Sequence, residues 1–188
     1  MEKVTRPLMA GFPARETRRH TWPGGYSDSQ LKKAFTFKAR PENQSVLVSI
    51  TNSGAGHKVP TGDPDRFIDI EFSWEDESGQ TEIVKKITFR RLVVWQPVIF
   101  DLTDNRLAAG ETFSFNFTPK MEGKLKIKAI YNVMTERQFD GLVDNVGLTA
   151  SKDIIRRTFV DQYIEVKQPD YSWLSIDLVK ALKNLNIL

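Results

Sequence analysis

Apolar and polar side chains alternate strictly at several separate places in this chain, and a period of two demands extended strands that lay one face on a core. Val46, Val48 and Ile50 alternate with Ser45, Ser49 and Thr51, with Leu47 as the exception, and Ile68, Ile70, Phe72 and Trp74 alternate with Asp69, Glu71 and Ser73. Phe113, Phe115 and Phe117 share one face of residues 112–118, and Lys124, Lys126 and Lys128 alternate with Leu125, Ile127 and Ala129. The lysine row marks either a solvated sheet face or an edge protected by charge. Further strands are expected over residues 35–40, over 81–89 after the turn Glu77-Ser78-Gly79-Gln80, within the apolar 92–102 with a bend at Pro97, and over 157–167. This many short strands, separated by turns, predict an all-β fold: an antiparallel two-sheet sandwich of immunoglobulin-like type.

Three regions follow from the pattern. Residues 1–27, interrupted by Pro7, Gly11, Pro13, Pro23, Gly24 and Gly25, predict an extended basic arm ending in a turn. Residues 28–168 form the sandwich, with Ser27 or Asp28 capping a short helix over 29–34 and a long insertion over 132–152, where Gly141 and Gly147 interrupt any long helix. Residues 169–188 predict a C-terminal amphipathic helix capped by Ser172. Leu174, Leu178, Ala181, Leu182 and Leu185 share one face of it, and Asp177, Lys180 and Asn184 the other. That apolar face packs on the sandwich or on a partner.

A chain of 188 residues can bury about 70% of the surface its unfolded form exposes, enough for one core. It contains no cysteine, so disulfides, thiolate metal sites, a cysteine nucleophile and covalent haem attachment through Cys-x-x-Cys-His are excluded. The net charge of +3 is too small for a nucleic-acid binder. The excess is concentrated at the start, where Lys3, Arg6, Arg15, Arg18, Arg19, Lys32, Lys33, Lys38 and Arg40 face only Glu2, Glu16 and Asp28. No apolar run reaches the roughly 18 residues a transmembrane segment needs. The catalytic inventory is equally thin. There is no Gly-x-Ser-x-Gly elbow, no His-Glu-x-x-His and no phosphate-binding glycine loop, and His20 and His57 are the two histidines present. The chain is not expected to be an enzyme.

Between the second and third strands runs Asn52-Ser53-Gly54-Ala55-Gly56-His57-Lys58-Val59-Pro60-Thr61-Gly62-Asp63-Pro64-Asp65-Arg66. Its glycines permit backbone angles closed to other residues, Pro60 stiffens the return, and Asn52 or Thr61 can bond loop amides. The result is a rigid loop holding His57 at one end of the sandwich. Two roles are open to that ring: a buried group that locks the loop by bonding carbonyls, or an imidazole presented to a metal.

This loop resembles the motif Asn-x-Gly-Ala-Gly-His-x-hydrophobic-Pro-Thr-Gly, followed by Arg, in the C-terminal β-sandwich domain of bacterial multihaem c-type cytochromes. Arg19-His20-Thr21-Trp22-Pro23-Gly24-Gly25 with Leu31-Lys32-Lys33-Ala34 upstream, and Asp104-Asn105-Arg106-Leu107, Gly110-Glu111 and Lys128-Ala129-Ile130-Tyr131 downstream, fall in the same order. The resemblance covers about residues 18–131. Those cytochromes carry Cys-x-x-Cys-His motifs before this domain, and none is present here. The resemblance therefore implies a non-catalytic, extracytoplasmic (periplasmic) module or accessory subunit that packs against a multihaem cytochrome domain in cis or in trans. It would bind no haem covalently, but it would face the haem c of a partner or of a missing upstream region. His57 and His20 are the residues it offers as axial ligands, and Arg19, Lys58 and Arg66 those it offers to haem propionates. The alternative is a free-standing carbohydrate- or protein-binding sandwich using Trp22, Trp95 or Trp173 as a platform.

Overall fold

A computed structural model describes residues 3–7, 9–18, 24–42, 45–119, 123–147, 149–166 and 183. In chain order the strands are β1 (Lys3–Arg6), β2 (Arg15–Arg18), β3 (Phe35–Glu42), β4 (Ser45–Asn52), β5 (Phe67–Asp76), β6 (Thr81–Val94), β7 (Phe100–Asp104), β8 (Thr112–Phe117), β9 (Gly123–Asn132) and β10 (Arg156–Glu165). The helices are α1 (Asp28–Ala34) and α2 (Glu136–Val146), with short 3-10 turns at Gly24–Tyr26 and Lys152–Ile155. One antiparallel sheet runs β10-β9-β5-β6-β7 and a second runs β3-β4-β8, while β1 and β2 form a separate ribbon.

The alternation explains how the two large sheets meet. Ile68, Ile70, Phe72 and Trp74 turn inward from β5, as do Leu125, Ile127, Ala129 and Tyr131 from β9 and Val46, Val48 and Ile50 from β4, and all of them are buried. Between the layers the aromatic side chains pair edge to face. Phe72 meets Phe115 at 5.1 Å, Trp74 meets Phe117 at 5.3 Å and Phe89 meets Phe113 at 6.3 Å. Such geometry sets the negative face of one ring against the positive edge of the other and adds about 0.5–1.5 kcal/mol per pair to the burial itself. On the opposite side Phe35 lies between Phe89 and Phe159, at 6.4 and 6.2 Å.

Several expectations are revised. The N-terminal arm is not simply extended: Lys3–Arg6 folds back on Arg15–Arg18 as an antiparallel hairpin. The lysine row lies on β9, which pairs with strands on both sides, so it is a solvated face and not an edge. There Lys126 lies 3.6 Å from Asp161 and over the ring of Tyr163. Residues 92–102 are not one bent strand, because β6 ends at Val94 and Pro97 lies in the connection to β7. Within 132–152 a true helix forms. Thr135 and Gln138 close a reciprocal capping box, Gly147 ends the helix at φ 63°, and Gly141 is accommodated inside it, so local capping outweighs the glycine penalty. The predicted C-terminal helix lies outside the described residues except for Lys183, which is helical and exposed.

Phe72 is fully buried at the centre of this contact. Phe72→Ala is expected to lower unfolding stability by about 3–5 kcal/mol, measured by urea denaturation, because transfer and cavity costs add.

Candidate functional site

The loop between β4 and β5 is organised by one side chain. Asn52 is 1% exposed. Its Nδ2 donates to the carbonyls of His57 (2.8 Å) and Leu107 (3.0 Å), and its Oδ1 accepts from the Ala55 amide (3.2 Å). Its backbone amide donates to the Glu111 carbonyl at 3.0 Å and its carbonyl accepts from the Gly110 amide at 2.8 Å. The expected choice between Asn52 and Thr61 as the bonding residue falls on Asn52. Val59 and Leu107 exchange both backbone bonds, at 3.0 and 3.2 Å, which stitches this loop to the one entering β8. Gly54 is required for a different reason: a Cβ there would sit 1.8 Å from the Lys33 carbonyl oxygen at the end of α1.

This scaffold leaves His57 on the outside. The ring is exposed, and its Nδ1 lies 3.1 Å from the Lys58 carbonyl. A carbonyl can only accept, so in the neutral ring Nδ1 carries the proton and Nε2 presents its lone pair to solvent. The buried, loop-locking role that a glycine-rich loop suggests for this histidine is filled instead by Asn52.

Lys58 and Arg66 sit on the same loop, and both are engaged within the domain. Lys58 donates to Asp104 at 2.8 Å, and Arg106 clamps the same carboxylate bidentately at 2.8 and 2.9 Å. Arg106, Asp104 and Lys58 thus tie the loop to the base of β7, and the Arg106 bonds, reinforced by Lys58, hold the Asp104 carboxyl far below the usual carboxylate range. Arg66 lies over the Tyr26 ring, 5.7 Å from its centre, and beside the hydroxyl of Tyr131. Burial raises the Tyr131 hydroxyl above its ordinary value, against the opposing effect of Arg66. Asp63, Asp65 and Asp69 do not converge: Asp63 caps its own turn, Asp65 accepts from Gln138, and Asp69 accepts from Thr88 and Asn132. Among the described residues no cluster of three or more His, Cys, Asp or Glu is placed to hold a metal. Arg19 and His20 lie outside the described residues.

Two more features share this end of the sandwich. The β5 register with β6 ends at Phe67 against Arg90, yet β6 continues and pairs over residues 91–94 with β7 alone. A two-stranded ribbon therefore projects past the sheet, braced by Arg91 on Asp101 at 2.7 and 3.2 Å. Its tip exposes Trp95, Val98, Ile99, Phe100 and Leu102, each at least half accessible. The N-terminal segment joins here too. Gly25 packs on the Tyr131 ring, and its carbonyl accepts from Arg157, which also reaches Asp28 at 2.5 Å. Between Gly25, Tyr26, Tyr131 and Arg157 lies a cavity of about 230 Å³. Sequence reasoning singled out Trp95 but missed the ribbon. The signal was a consecutive apolar run beside Pro97 in place of alternation.

Fold and site together define an antiparallel two-sheet β domain whose looped end presents one histidine beside an exposed apolar ribbon. No protein-family model and no curated protein matches the chain. Among solved structures, a penta-heme cytochrome c552 from Thermochromatium tepidum has a similar fold, with a TM-score of 0.54 and 20% identity over 84% of this chain. The present chain spans 45% of that protein's length. A hypothetical protein, PH1083, from Pyrococcus horikoshii OT3 aligns over 53% of this chain and 76% of its own, at 19% identity and a TM-score of 0.34, too small a likeness to argue from. No helix among the described residues is long and apolar enough to cross a membrane.

Asn52→Ala is expected to cost about 1–3 kcal/mol in urea denaturation, because the His57 carbonyl and the Ala55 amide lose the bonds it makes to them and the Leu107 carbonyl keeps only its bond from Val59. Asp104 carries a pH signature. Its folded carboxyl titrates below the ordinary 3.8, so its stabilisation is complete above about pH 4 and is lost as the pH falls below that. The stability gap between the native chain and Asp104→Asn should hold steady from about pH 5 to 8 and shrink below about pH 4, followed by denaturation at each pH.

Proposed function

We propose that the chain is a non-catalytic, extracytoplasmic immunoglobulin-like module of a multihaem cytochrome electron-transfer system, and that its looped end packs against a haem-bearing domain in cis or in trans. The observation that carries this reading is the orientation of His57. The Nδ1–H bond to the Lys58 carbonyl fixes the ring and leaves Nε2 outward, the arrangement in which a backbone carbonyl commonly orients a metal-ligating histidine. The imidazole would complete the axial coordination of a haem iron held by the partner. The absence of cysteine means that this chain does not itself attach a haem through Cys-x-x-Cys-His.

Two further observations support the reading. The cytochrome of similar fold has more than half its length outside the aligned part, which is where a haem-bearing region would lie. The N-terminal segment, the loop and the exposed ribbon all meet at one end, so a domain preceding this one would face His57 and the apolar tip together. Lys58 and Arg66 are engaged by Asp104 and Tyr26, so a propionate would share them with those groups. The 58% exposure of Trp95 favours the second reading, a carbohydrate- or protein-binding module that uses the ribbon as its platform.

The test uses a haem c peptide with one histidine ligand and an open sixth position. The folded chain should shift its Soret band to the bis-imidazole form, and His57→Ala should abolish the shift. An equal shift from both proteins would remove His57 as a ligand. Purification from the native source should also bring a haem-containing partner, seen at the Soret band; purification free of any cytochrome would sink the module reading and leave the binding alternative.

A further inference from the structure

The two sides of the β6–β7 ribbon differ in chemistry. Phe89 pairs with Ile68 inside the sandwich and Arg90 with Phe67 on the outer face of the five-stranded sheet, so successive residues of β6 alternate between the two. Arg91 and Val93 continue the inner row, opposite Asp104 and Asp101. There each charge has a partner, because Arg91 bonds Asp101 while Lys58 and Arg106 bond Asp104. Leu92 and Val94 continue the outer row, Phe100 lies on that side opposite Val94, and the turn beyond adds Trp95, Val98 and Ile99. An apolar strip therefore runs from Phe67 along about 13 Å of ribbon to its tip. The loop that carries His57 is tied through Lys58 to the inner side, so the strip is turned away from it.

We propose that a second copy of this chain covers the strip: two ribbons pack outer side to outer side about a two-fold axis, and the chain is a dimer. The proposal is independent of the cytochrome reading, since the inner side and His57 stay open to another partner.

Area supports this occupant. The exposed apolar side chains of the ribbon offer roughly 600 Å², and Gln96 and Pro97, both exposed, extend the face into the range of roughly 600–1,000 Å² that one partner contributes to a stable interface. Charge argues for the same occupant. An anionic bilayer or an acidic protein is met by a rim of free cations, whereas Arg91 is already held by Asp101. Arg90, at the base of the strip, lies over the Phe67 ring at 5.6 Å, and its Nε is sheltered with no bonding partner among the described residues. A two-fold axis that sets each tip over the other ribbon's base keeps the two Arg90 groups at opposite ends, beside the turn carbonyls of residues 95–99. A strip that is apolar and poor in charge is complementary to itself, and closed two-fold pairs are the commonest assembly.

Sedimentation equilibrium of the purified full chain, at up to about 100 μM, should show a species of twice 21.5 kDa. Trp95→Ser with Phe100→Ser, and separately Val98→Asp, should weaken the dimer about tenfold or more with circular dichroism unchanged, since all three side chains are exposed. Ile83→Ser, exposed at the far end of β6, should leave the dimer intact. Because the chain has no cysteine, Arg90→Cys chains mixed with Val98→Cys chains should form an intermolecular disulfide on mild oxidation. A monomer at the highest concentration would overturn the proposal without touching the cytochrome reading. So would a dimer that both ribbon variants leave unchanged, or one that cross-links instead through Lys38→Cys on the other sheet, because another surface then joins the copies. A monomer that floats with phosphatidylcholine–phosphatidylglycerol vesicles only while the ribbon is intact would also overturn it, since a bilayer is then the occupant.

Discussion

The bonds of a single buried amide, Asn52, hold the looped end of this domain together. The residue closes β4 and bonds at once to the start of its own loop, to the carbonyl of His57, and to the separate segment at Leu107 that leads into β8. An apolar residue in its place would remove bonds to three backbone groups at once, of which the Leu107 carbonyl alone would keep a partner, the Val59 amide. A rigid loop needs such an internal partner, since glycine-rich backbone has the most conformational freedom to lose on ordering. With Asn52 in place the glycines can turn where they must, Gly54 can touch the end of α1, and the His57 side chain is left free of any structural duty.

Charge extends that order outward. Asp104 lies between Arg106 and Lys58, mostly sheltered and satisfied from both sides, so the loop and the base of the projecting ribbon are joined across 46 residues of sequence. A two-stranded ribbon alone is marginal in water. Here its base is anchored by that triad and its length by Arg91 on Asp101, and what remains exposed is an apolar tip. Five large exposed apolar side chains within the eight residues 95–102 exceed the scattered exposure usual for a single domain, and patches of roughly several hundred Å² mark interaction surfaces. The end of the molecule that carries His57 is thus densely cross-braced yet leaves an apolar tip uncovered.

Much of this was legible in the residues themselves. β4, β5, β8 and β9 follow the alternation within a residue or two, since a half-buried strand has one solution for its two faces. The loop was legible as rigid from Gly54, Pro60 and Asn52. What could not be read was which way His57 pointed, because a loop's side-chain direction depends on contacts with Leu107 and Lys58 made only after folding. The ribbon was illegible for a related reason. Leu92 through Leu102 reads as buried strand by hydrophobicity, and only the register, in which β5 ends opposite Arg90, shows that no described strand but β7 lies beside it there. Helix α2 was obscured by Gly141, whose cost of about 1 kcal/mol is offset by the Thr135–Gln138 box and the Gly147 cap.

The amino-acid sequence by itself determined a β-rich fold with two half-buried layers, a chain without thiol chemistry, and a stiff loop carrying one of two histidines, because local periodicity and composition need no partner to act. Tertiary structure alone decided that the two sheets meet through Phe72, Trp74 and Phe89 on Phe115, Phe117 and Phe113, that Lys58 and Arg106 share one carboxylate, and that His57 and an apolar ribbon occupy the same end. The physical reason is register. Which strands lie side by side, and where each one ends, is set by contacts between residues far apart in sequence, and those contacts choose which side chains are covered and which are left to meet something else.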